Sequence, residues 1–201
     1  MLKVFGDHRS GNCYKVAWVM NELALPYEWV DVDILAGESR NPEFLALNPN
    51  GRIPVVQFSD GRTLAESNAI LLHLAEGSPL VPDDAYQRAR VYQWLFFEQY
   101  SHEPYIATSR FIVQYLGNPA DRQADLNAKR DPGYAALTVM EDALQYAEFL
   151  TGDHFTVADI ALFAYTHVAD EGGFDLSAYP AILAWFDRVR LRPGFLPMRA
   201  T

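Results

Sequence analysis

Residues 53–75 read IPVVQFSDGRTLAESNAILLHLA, and this stretch decides the predicted fold. The apolar run at 53–58 predicts a strand, residues 59–62 have the composition of a hairpin turn, and residues 62–64 predict a short second strand. Apolar side chains then recur with helical spacing through residues 66–75. The stretch therefore predicts an antiparallel β-hairpin followed by a helix.

Upstream of this hairpin the chain alternates between strand and helix patterns. Apolar runs at 2–5 and 27–32 predict two strands, and the helix between them ends at Pro26. Residues 41–47 predict a short helix that begins with a proline in its first turn. The order is β-α-β-α-β-β-α, and its opening strand, helix and strand imply a right-handed parallel crossover.

The alternation of strand and helix patterns ends near residue 77, where GSPLVP at 77–82 has the composition of a linker. All later patterns are helical. We therefore expect a small α/β domain over 1–76, a linker over 77–83 and a helical domain over 84–201.

The helical domain contains four predicted helical segments. The first runs from Asp83 to about residue 116, and its Glu103-Pro104 step should divide it or kink it. The others are predicted at residues 132–150, 156–169 and 180–191.

Composition narrows the possible partners and compartments. Sixteen basic and 26 acidic residues give a net charge of −10, which disfavours nucleic acid as a partner. The single cysteine, Cys13, excludes an internal disulfide and fits the reducing cytoplasm. The N-terminus lacks the apolar core of a secretory signal, and no apolar run is long enough to cross a membrane.

Ile53-Pro54 is the first of three features that could carry function. A proline that opens a strand is usually in trans, and this position can be a plain strand start. A cis bond would instead turn the backbone groups of Ile53 outward, where an extended peptide could pair with them by strand addition.

The second feature is Glu66-Ser67-Asn68 at the start of a predicted helix. Ser67 or Asn68 can simply cap that helix. Alternatively, the free N–H groups and the Ser67 hydroxyl can bind a carboxylate while Glu66 binds an ammonium group. A carboxylate and an ammonium group on one carbon describe the end of an amino acid or a small peptide.

The third feature is Ser10-Gly11-Asn12-Cys13, between the first strand and the first helix. Ser10 can cap the helix or present its hydroxyl where a developing anion is favoured. Cys13 can be a core residue or a reactive thiol. The five histidines have no metal-ligand spacing, so no metal site is expected.

Together these features resemble the glutathione transferase family, in particular its serine-type, theta- and delta-related and bacterial members. The segments NPNGRIPV at 48–55, LAESNAI at 64–70 and FTVADI at 155–160 carry the resemblance, in this order and at these separations. The resemblance implies a thioredoxin-like first domain, a helical second domain and a capping box at Thr156 and Asp159.

The resemblance also implies that glutathione is a co-substrate and that no metal is needed. It assigns the thiolate-stabilising hydroxyl to Ser10 and a packing role to Cys13. It further implies a cis Pro54 and places glutathione binding at Asn12, Ser39, Arg52, Ile53, Pro54, Glu66 and Ser67.

Two of these binding positions depart from the family pattern. Asn12 stands where many serine-type members have proline, and Ser39 stands where several have a histidine that binds the glycine end of glutathione. The electrophile is expected to contact a further set: Gly11, Tyr100, His102, Tyr105, Ser109 and Phe111.

The function that the resemblance implies is conjugation of glutathione to hydrophobic electrophiles by a cytoplasmic, homodimeric detoxification enzyme. A glutathione-dependent disulfide reductase, isomerase or dehalogenase is an alternative, because the fold serves these reactions too. A non-catalytic glutathione-binding protein on the same fold is the other alternative.

Overall fold

The computed structural model describes residues 1–199 of the 201-residue chain. The chain divides into two compact units. Unit 1 contains Met1–Glu76 together with the C-terminal segment that starts at Pro193, and unit 2 is Gly77–Arg192.

Unit 1 has the predicted β-α-β-α-β-β-α order. Its four-stranded sheet has the order β2-β1-β3-β4, in which β1 and β2 are parallel and the other two pairs are antiparallel. The elements are β1 Leu2–Gly6, α1 Gly11–Glu22, β2 Tyr27–Asp31, α2 Pro42–Leu47, β3 Val55–Gln57, β4 Thr63–Ala65 and α3 Ser67–Leu74. The predicted thioredoxin-like arrangement is therefore confirmed.

The sheet of unit 1 is covered by apolar side chains from strands and helices. Val4 and Val56, which pair across β1 and β3, are fully buried. On the α2 side, Val32, Phe44 and Val55 form a buried cluster. This packing fixes the strand ends and helix starts that carry the predicted binding residues.

Unit 2 is helical. Its helices are α4 Ala85–Phe97, α5 Ile106–Arg110, α6 Gln123–Leu144, α7 Val157–Thr166 and α8 Pro180–Arg190. A π-helical turn follows α4 at Glu98–His102 and another follows α5 at Phe111–Tyr115. The break between Glu98–His102 and α5 confirms the predicted division at Glu103-Pro104.

One helix prediction in unit 2 is wrong. Residues 132–150 were expected to form a helix opened by Pro132, but α6 begins at Gln123, ends at Leu144 and contains Pro132 in its interior. The proline removes one backbone hydrogen bond from a 22-residue helix. Buried side chains on both sides of it, Leu126 and Leu137, hold the two halves in one helix.

The C-terminal segment packs on α1 within unit 1, which the division at residue 84 did not anticipate. The indole N–H of Trp18 donates to the Gly194 carbonyl at 3.1 Å, and the Tyr14 hydroxyl donates to the Leu196 carbonyl at 2.5 Å. Phe195 contacts Trp18 edge-to-face. These contacts join both ends of the sequence in one unit.

Candidate functional site

Ser10 ends the loop between β1 and α1 and is the N-cap of α1. Its Oγ accepts a hydrogen bond from the Cys13 N–H at 3.4 Å, and its own N–H donates to the Asp7 carbonyl at 3.0 Å. The residue is half-buried. The hydroxyl is therefore held beside the positive end of the helix dipole, where an anion is stabilised.

Cys13 is a core residue, as expected. Its side chain is fully buried, and a Cβ on Gly6 would lie 2.8 Å from its Sγ. Burial raises the pKa of the Cys13 thiol to about 12. The hydrogen bond with the Ser10 hydroxyl lowers the same pKa by a smaller amount. The thiol therefore stays protonated and inaccessible at neutral pH, which disfavours it as a nucleophile.

The Ile53-Pro54 bond is cis, which confirms the prediction from the family resemblance. The preceding turn is fixed by Asn48, whose Nδ2 donates to the Arg52 carbonyl at 2.7 Å. Pro54 is buried and Ile53 packs against the Val32 cluster, so the apolar side chains anchor this strand start in the core.

The start of α3 combines an unusual backbone at Glu66 with the absence of a cap hydrogen bond from the Glu66 side chain. Glu66, the N-cap residue, has φ 67° and ψ 111°. A non-glycine residue in this region costs about 1–3 kcal/mol, so the surrounding structure must impose it. Glu66 is exposed and Ser67 is buried.

A polar cluster joins the start of α3 to the first turns of α1. Nζ of Lys15 donates to Oδ1 of Asn12 at 2.7 Å and to Oγ of Ser67 at 3.4 Å. Oγ of Ser67 donates to Oδ1 of Asn12 at 3.0 Å. Sequence reasoning missed Lys15. Its signal was a lysine within the apolar run of α1, three residues after Asn12.

The other predicted glutathione-binding residues lie on the 39–52 side of unit 1. Ser39 is buried in a 3₁₀ turn at Glu38–Arg40, and its carbonyl lies 2.9 Å from the position of a Cβ on Gly51. Arg52 is exposed. Hydrogen bonds thus bring Asn12 and Ser67 together, whereas Ser39 and Arg52 belong to a separate turn region.

The residues predicted to contact an electrophile in unit 2 differ widely in exposure. His102 is fully buried, with Nε2 2.9 Å from Oγ1 of Thr166, and Ser109 is also buried. Both side chains are buried within unit 2, and their place in the electrophile site stays a prediction. Tyr105 is half-buried, and Phe111 and Tyr100 are exposed.

The π-helical turn at Glu98–His102 accounts for the inward position of His102. A π turn inserts one extra residue, so the side chains after it rotate relative to the ordinary 3.6-residue period. Side chains from residue 102 onward therefore do not follow the 3.6-residue period of α4.

Among residues 1–199, no three His, Cys, Asp or Glu side chains form a group that could hold a metal ion. The same part of the chain contains no helix with the length and apolar character needed to cross a membrane.

Comparison with protein families identifies both units. Residues 9–76 match the model for the glutathione S-transferase N-terminal domain, and residues 91–193 match the model for the glutathione S-transferase C-terminal domain. The chain belongs to the glutathione S-transferase family. The fold described above is thus the glutathione S-transferase fold.

Solved structures of bacterial glutathione S-transferases are similar along almost the whole chain. A glutathione S-transferase from Pseudomonas fluorescens Pf-5 is 56% identical, covers 98% of each chain and has a TM-score of 0.96. One from Xanthobacter autotrophicus Py2 is 47% identical, covers 98% of this chain and 97% of that chain, and has a TM-score of 0.95.

The yeast protein Ure2 is a more distant relative. Protein URE2 of Eremothecium gossypii is 30% identical over 94% of this chain, and the chain spans 65% of the length of that relative. A solved structure of Ure2p in complex with glutathione is 28% identical, covers 96% of this chain and 90% of that chain, and has a TM-score of 0.85.

Proposed function

We propose that the protein is a glutathione transferase that binds glutathione on unit 1 and conjugates it to hydrophobic electrophiles. The observation that carries the proposal is the start of α3, where Ser67 and the helix N–H groups are joined through Asn12 to the helix start that Ser10 caps. Membership in the glutathione S-transferase family supplies the ligand.

In this proposal, the γ-glutamyl end of glutathione binds at the start of α3. The Glu66 side chain makes no cap hydrogen bond to this helix, and the first N–H groups of the helix are placed to donate to the carboxylate of the ligand. The Ser67 hydroxyl adds a further donor, and the exposed Glu66 carboxylate binds the ammonium group.

The rest of the tripeptide extends toward the 39–52 region in this proposal. The backbone of Ile53 pairs with the cysteine residue of glutathione by strand addition, and the cis Pro54 holds that backbone in place. Arg52 is exposed and supplies a positive charge for the glycine carboxylate, close to the turn that contains Ser39.

The chemical step transfers the glutathione sulfur to carbon. The thiol of bound glutathione loses its proton to solvent, and a sulfur lone pair forms the bond to the electrophilic carbon while the leaving group departs with its electron pair. A free thiol has a pKa of about 8.5, so lowering it by two units needs about 2.7 kcal/mol of thiolate stabilisation. A hydrogen bond from Ser10 and the α1 dipole supply energies of this order.

A second candidate function is glutathione binding without conjugation. The observation that favours it is the 30% identity to a relative described as the transcriptional regulator URE2 of Saccharomyces cerevisiae. Thiol–disulfide exchange through Cys13 is disfavoured, because its thiol is buried and its pKa is raised to about 12. Turnover assays with electrophiles of several classes discriminate between the two candidates.

Ser67→Ala should weaken glutathione binding by roughly 1–3 kcal/mol, because a ligand carboxylate loses a hydrogen-bond donor. Isothermal titration calorimetry measures the change directly. Ser59→Ala, at an exposed serine in the turn of the same unit, is the matched control and should bind like the wild type. Equal affinities for Ser67→Ala and the wild type would show that Ser67 does not contribute to glutathione binding.

We further propose that the protein is a homodimer. Tyr86, Phe96 and Tyr100 are 69%, 73% and 84% exposed. At about 100° per residue, Tyr86 and Phe96 lie within roughly 80° of each other around α4. Tyr100 follows in the π-helical turn at Glu98–His102. Large exposed aromatic side chains along one helix and the turn after it are typical of a surface that a partner covers.

Phe96→Glu should convert the dimer to a monomer, because a charge would be buried in the interface. Light scattering at micromolar concentration should give twice the 22.7 kDa chain mass for the wild type and the chain mass for the variant. Tyr146→Glu, which places the same charge at an 89% exposed tyrosine elsewhere, should leave the dimer intact. A monomeric wild type would refute the homodimer.

We also infer that the protein works in the reducing cytoplasm, in the disposal of reactive electrophiles. Its single cysteine is buried as a thiol, so the fold needs no disulfide. The acidic chain carries a net charge of −10, and we propose no nucleic-acid or membrane partner.

A further inference from the structure

Asn12, Lys15 and Ser67 form a cluster in which each pair of side chains is within hydrogen-bond distance. Lys15 is fully buried and Ser67 is 5% exposed. The cluster joins α1 to the first residue of α3, the residue to which the proposed function assigns the ligand carboxylate. Its internal hydrogen bonds therefore bear on ligand binding.

The lysine fixes the direction of these hydrogen bonds. An ammonium group has donors and no acceptor, so the Asn12 amide must turn its oxygen toward Nζ of Lys15, 2.7 Å away. The same oxygen faces the Ser67 hydroxyl and cannot donate to it. Ser67 must therefore supply the hydrogen of the 3.0 Å contact, and this hydrogen is committed to Asn12.

A ligand carboxylate needs that same hydrogen, because a carboxylate accepts hydrogen bonds and cannot donate them. We propose that Asn12 is a positioning residue whose amide oxygen, oriented by Lys15, competes with the ligand carboxylate for the hydroxyl hydrogen of Ser67. Binding turns the hydroxyl from Asn12 to the ligand. This inference rests on the proposed function and assigns to Asn12 a role that acts through Ser67.

Lys15 lowers the free-energy cost of turning the Ser67 hydroxyl from Asn12 to the ligand. When the hydroxyl of Ser67 turns away, the oxygen of Asn12 still accepts from Nζ of Lys15, so no buried acceptor is left unsatisfied. The exchange therefore replaces a neutral hydrogen bond with one to a charged carboxylate, which is the stronger of the two. The resting contact lowers affinity without blocking the site.

Removal of the Asn12 side chain should have opposite effects on binding and on stability. Asn12→Ala should bind glutathione roughly twofold to tenfold more tightly, because the Ser67 hydrogen no longer has a competing acceptor. The same variant should melt at a lower temperature, because buried Lys15 loses its 2.7 Å acceptor. A purely structural role of Asn12 would weaken binding and stability together.

A double-mutant cycle measured by calorimetry tests the coupling. In a Ser67→Ala background, Asn12→Ala should leave the glutathione dissociation constant unchanged. Asn12→Pro is a second variant in case the first folds poorly, since proline is compatible with the first turn of α1. It should show the same tightening.

Two glutathione analogues locate the effect on the ligand. Glutaryl-Cys-Gly keeps the carboxylate of the γ-glutamyl end and lacks the ammonium group, whereas γ-aminobutyryl-Cys-Gly keeps the ammonium group and lacks the carboxylate. The tighter ligand binding expected of Asn12→Ala should persist with the first analogue and disappear with the second.

The proposed ligand and the proposed role of Asn12 can be refuted separately. A wild-type protein that does not bind glutathione would overturn the proposed ligand and this inference with it. A wild-type protein that binds glutathione, with an Asn12→Ala variant that binds equally or more weakly, would overturn this inference alone. Tightening that survives in the Ser67→Ala background would also overturn it.

Discussion

Ser10→Ala should lower the rate of glutathione conjugation by roughly tenfold to a thousandfold, which corresponds to about 1.4–4 kcal/mol in the barrier. The physical reason is the loss of the hydroxyl that stabilises the glutathione thiolate at the start of α1. The pKa of bound glutathione should rise in parallel, and titration of its thiolate absorbance measures this directly.

Controls for Ser10→Ala must separate chemistry from helix capping. The variant also loses the cap on the Cys13 N–H, which costs about 1 kcal/mol of stability. Ser10→Thr keeps both a hydroxyl and a cap, and should retain most of the activity. Cys13→Ala should lower stability through a small cavity and leave turnover in place. Loss of turnover in Cys13→Ala with an active Ser10→Ala would refute a hydroxyl mechanism.

Asp159→Ala should destabilise the protein by about 2–4 kcal/mol, more than the 0.5–2 kcal/mol typical of a lost helix cap. The capping box with Thr156 is confirmed, but the buried carboxylate also accepts from Leu150 N–H at 3.0 Å and from the Trp185 indole N–H at 3.1 Å. Its removal leaves several buried donors without an acceptor. Chemical denaturation measures the loss.

The matched control is Asp84→Ala, which removes an exposed cap at the start of α4 in the same unit. It should cost about 0.5–1 kcal/mol, because water can replace the lost acceptor. Equal losses in both variants would show that the buried contacts of Asp159 add nothing to its role as a cap.

Asp159 should also make stability depend on pH. Burial raises the pKa of its carboxyl group from 3.8 to about 6, against smaller lowering by its hydrogen-bond donors. The folded state therefore holds this proton more tightly than the unfolded state. Its stabilising contribution is complete below about pH 4 and is lost as the pH rises through 6. Asp159→Asn should remove this part of the pH dependence.

The sequence predicted those parts of the site that depend on local patterns. The cap at Ser10 and the capping box at Thr156 and Asp159 each involve residues within three positions along the chain. The packing role of Cys13 was implied by the family resemblance, and its side chain is buried. The cis Pro54 was implied by the family resemblance of residues 48–55. Local geometry and a specific motif were sufficient in these cases.

Other features of the molecule could not be predicted from the sequence pattern. Pro132 was expected to begin a helix, but packing on both sides overrode its local preference. His102 lies in a π-helical turn and its side chain is buried beside Thr166, while its expected contact with an electrophile stays a prediction. Propensity cannot reveal either outcome, because both depend on contacts with other helices.

By itself, the sequence determined the order of strands and helices, the two-part organisation of the chain and the family to which it belongs. Alternating apolar patterns, turn residues and motifs fix these features within short windows. The tertiary structure decided that Lys15 meets Ser67, 52 residues away, and that Leu196 returns to Tyr14, 182 residues away. Such contacts form only when the whole sheet and its helices are packed. Packing excludes water from these donors, so each donor must bond to a protein acceptor that the fold brings near it.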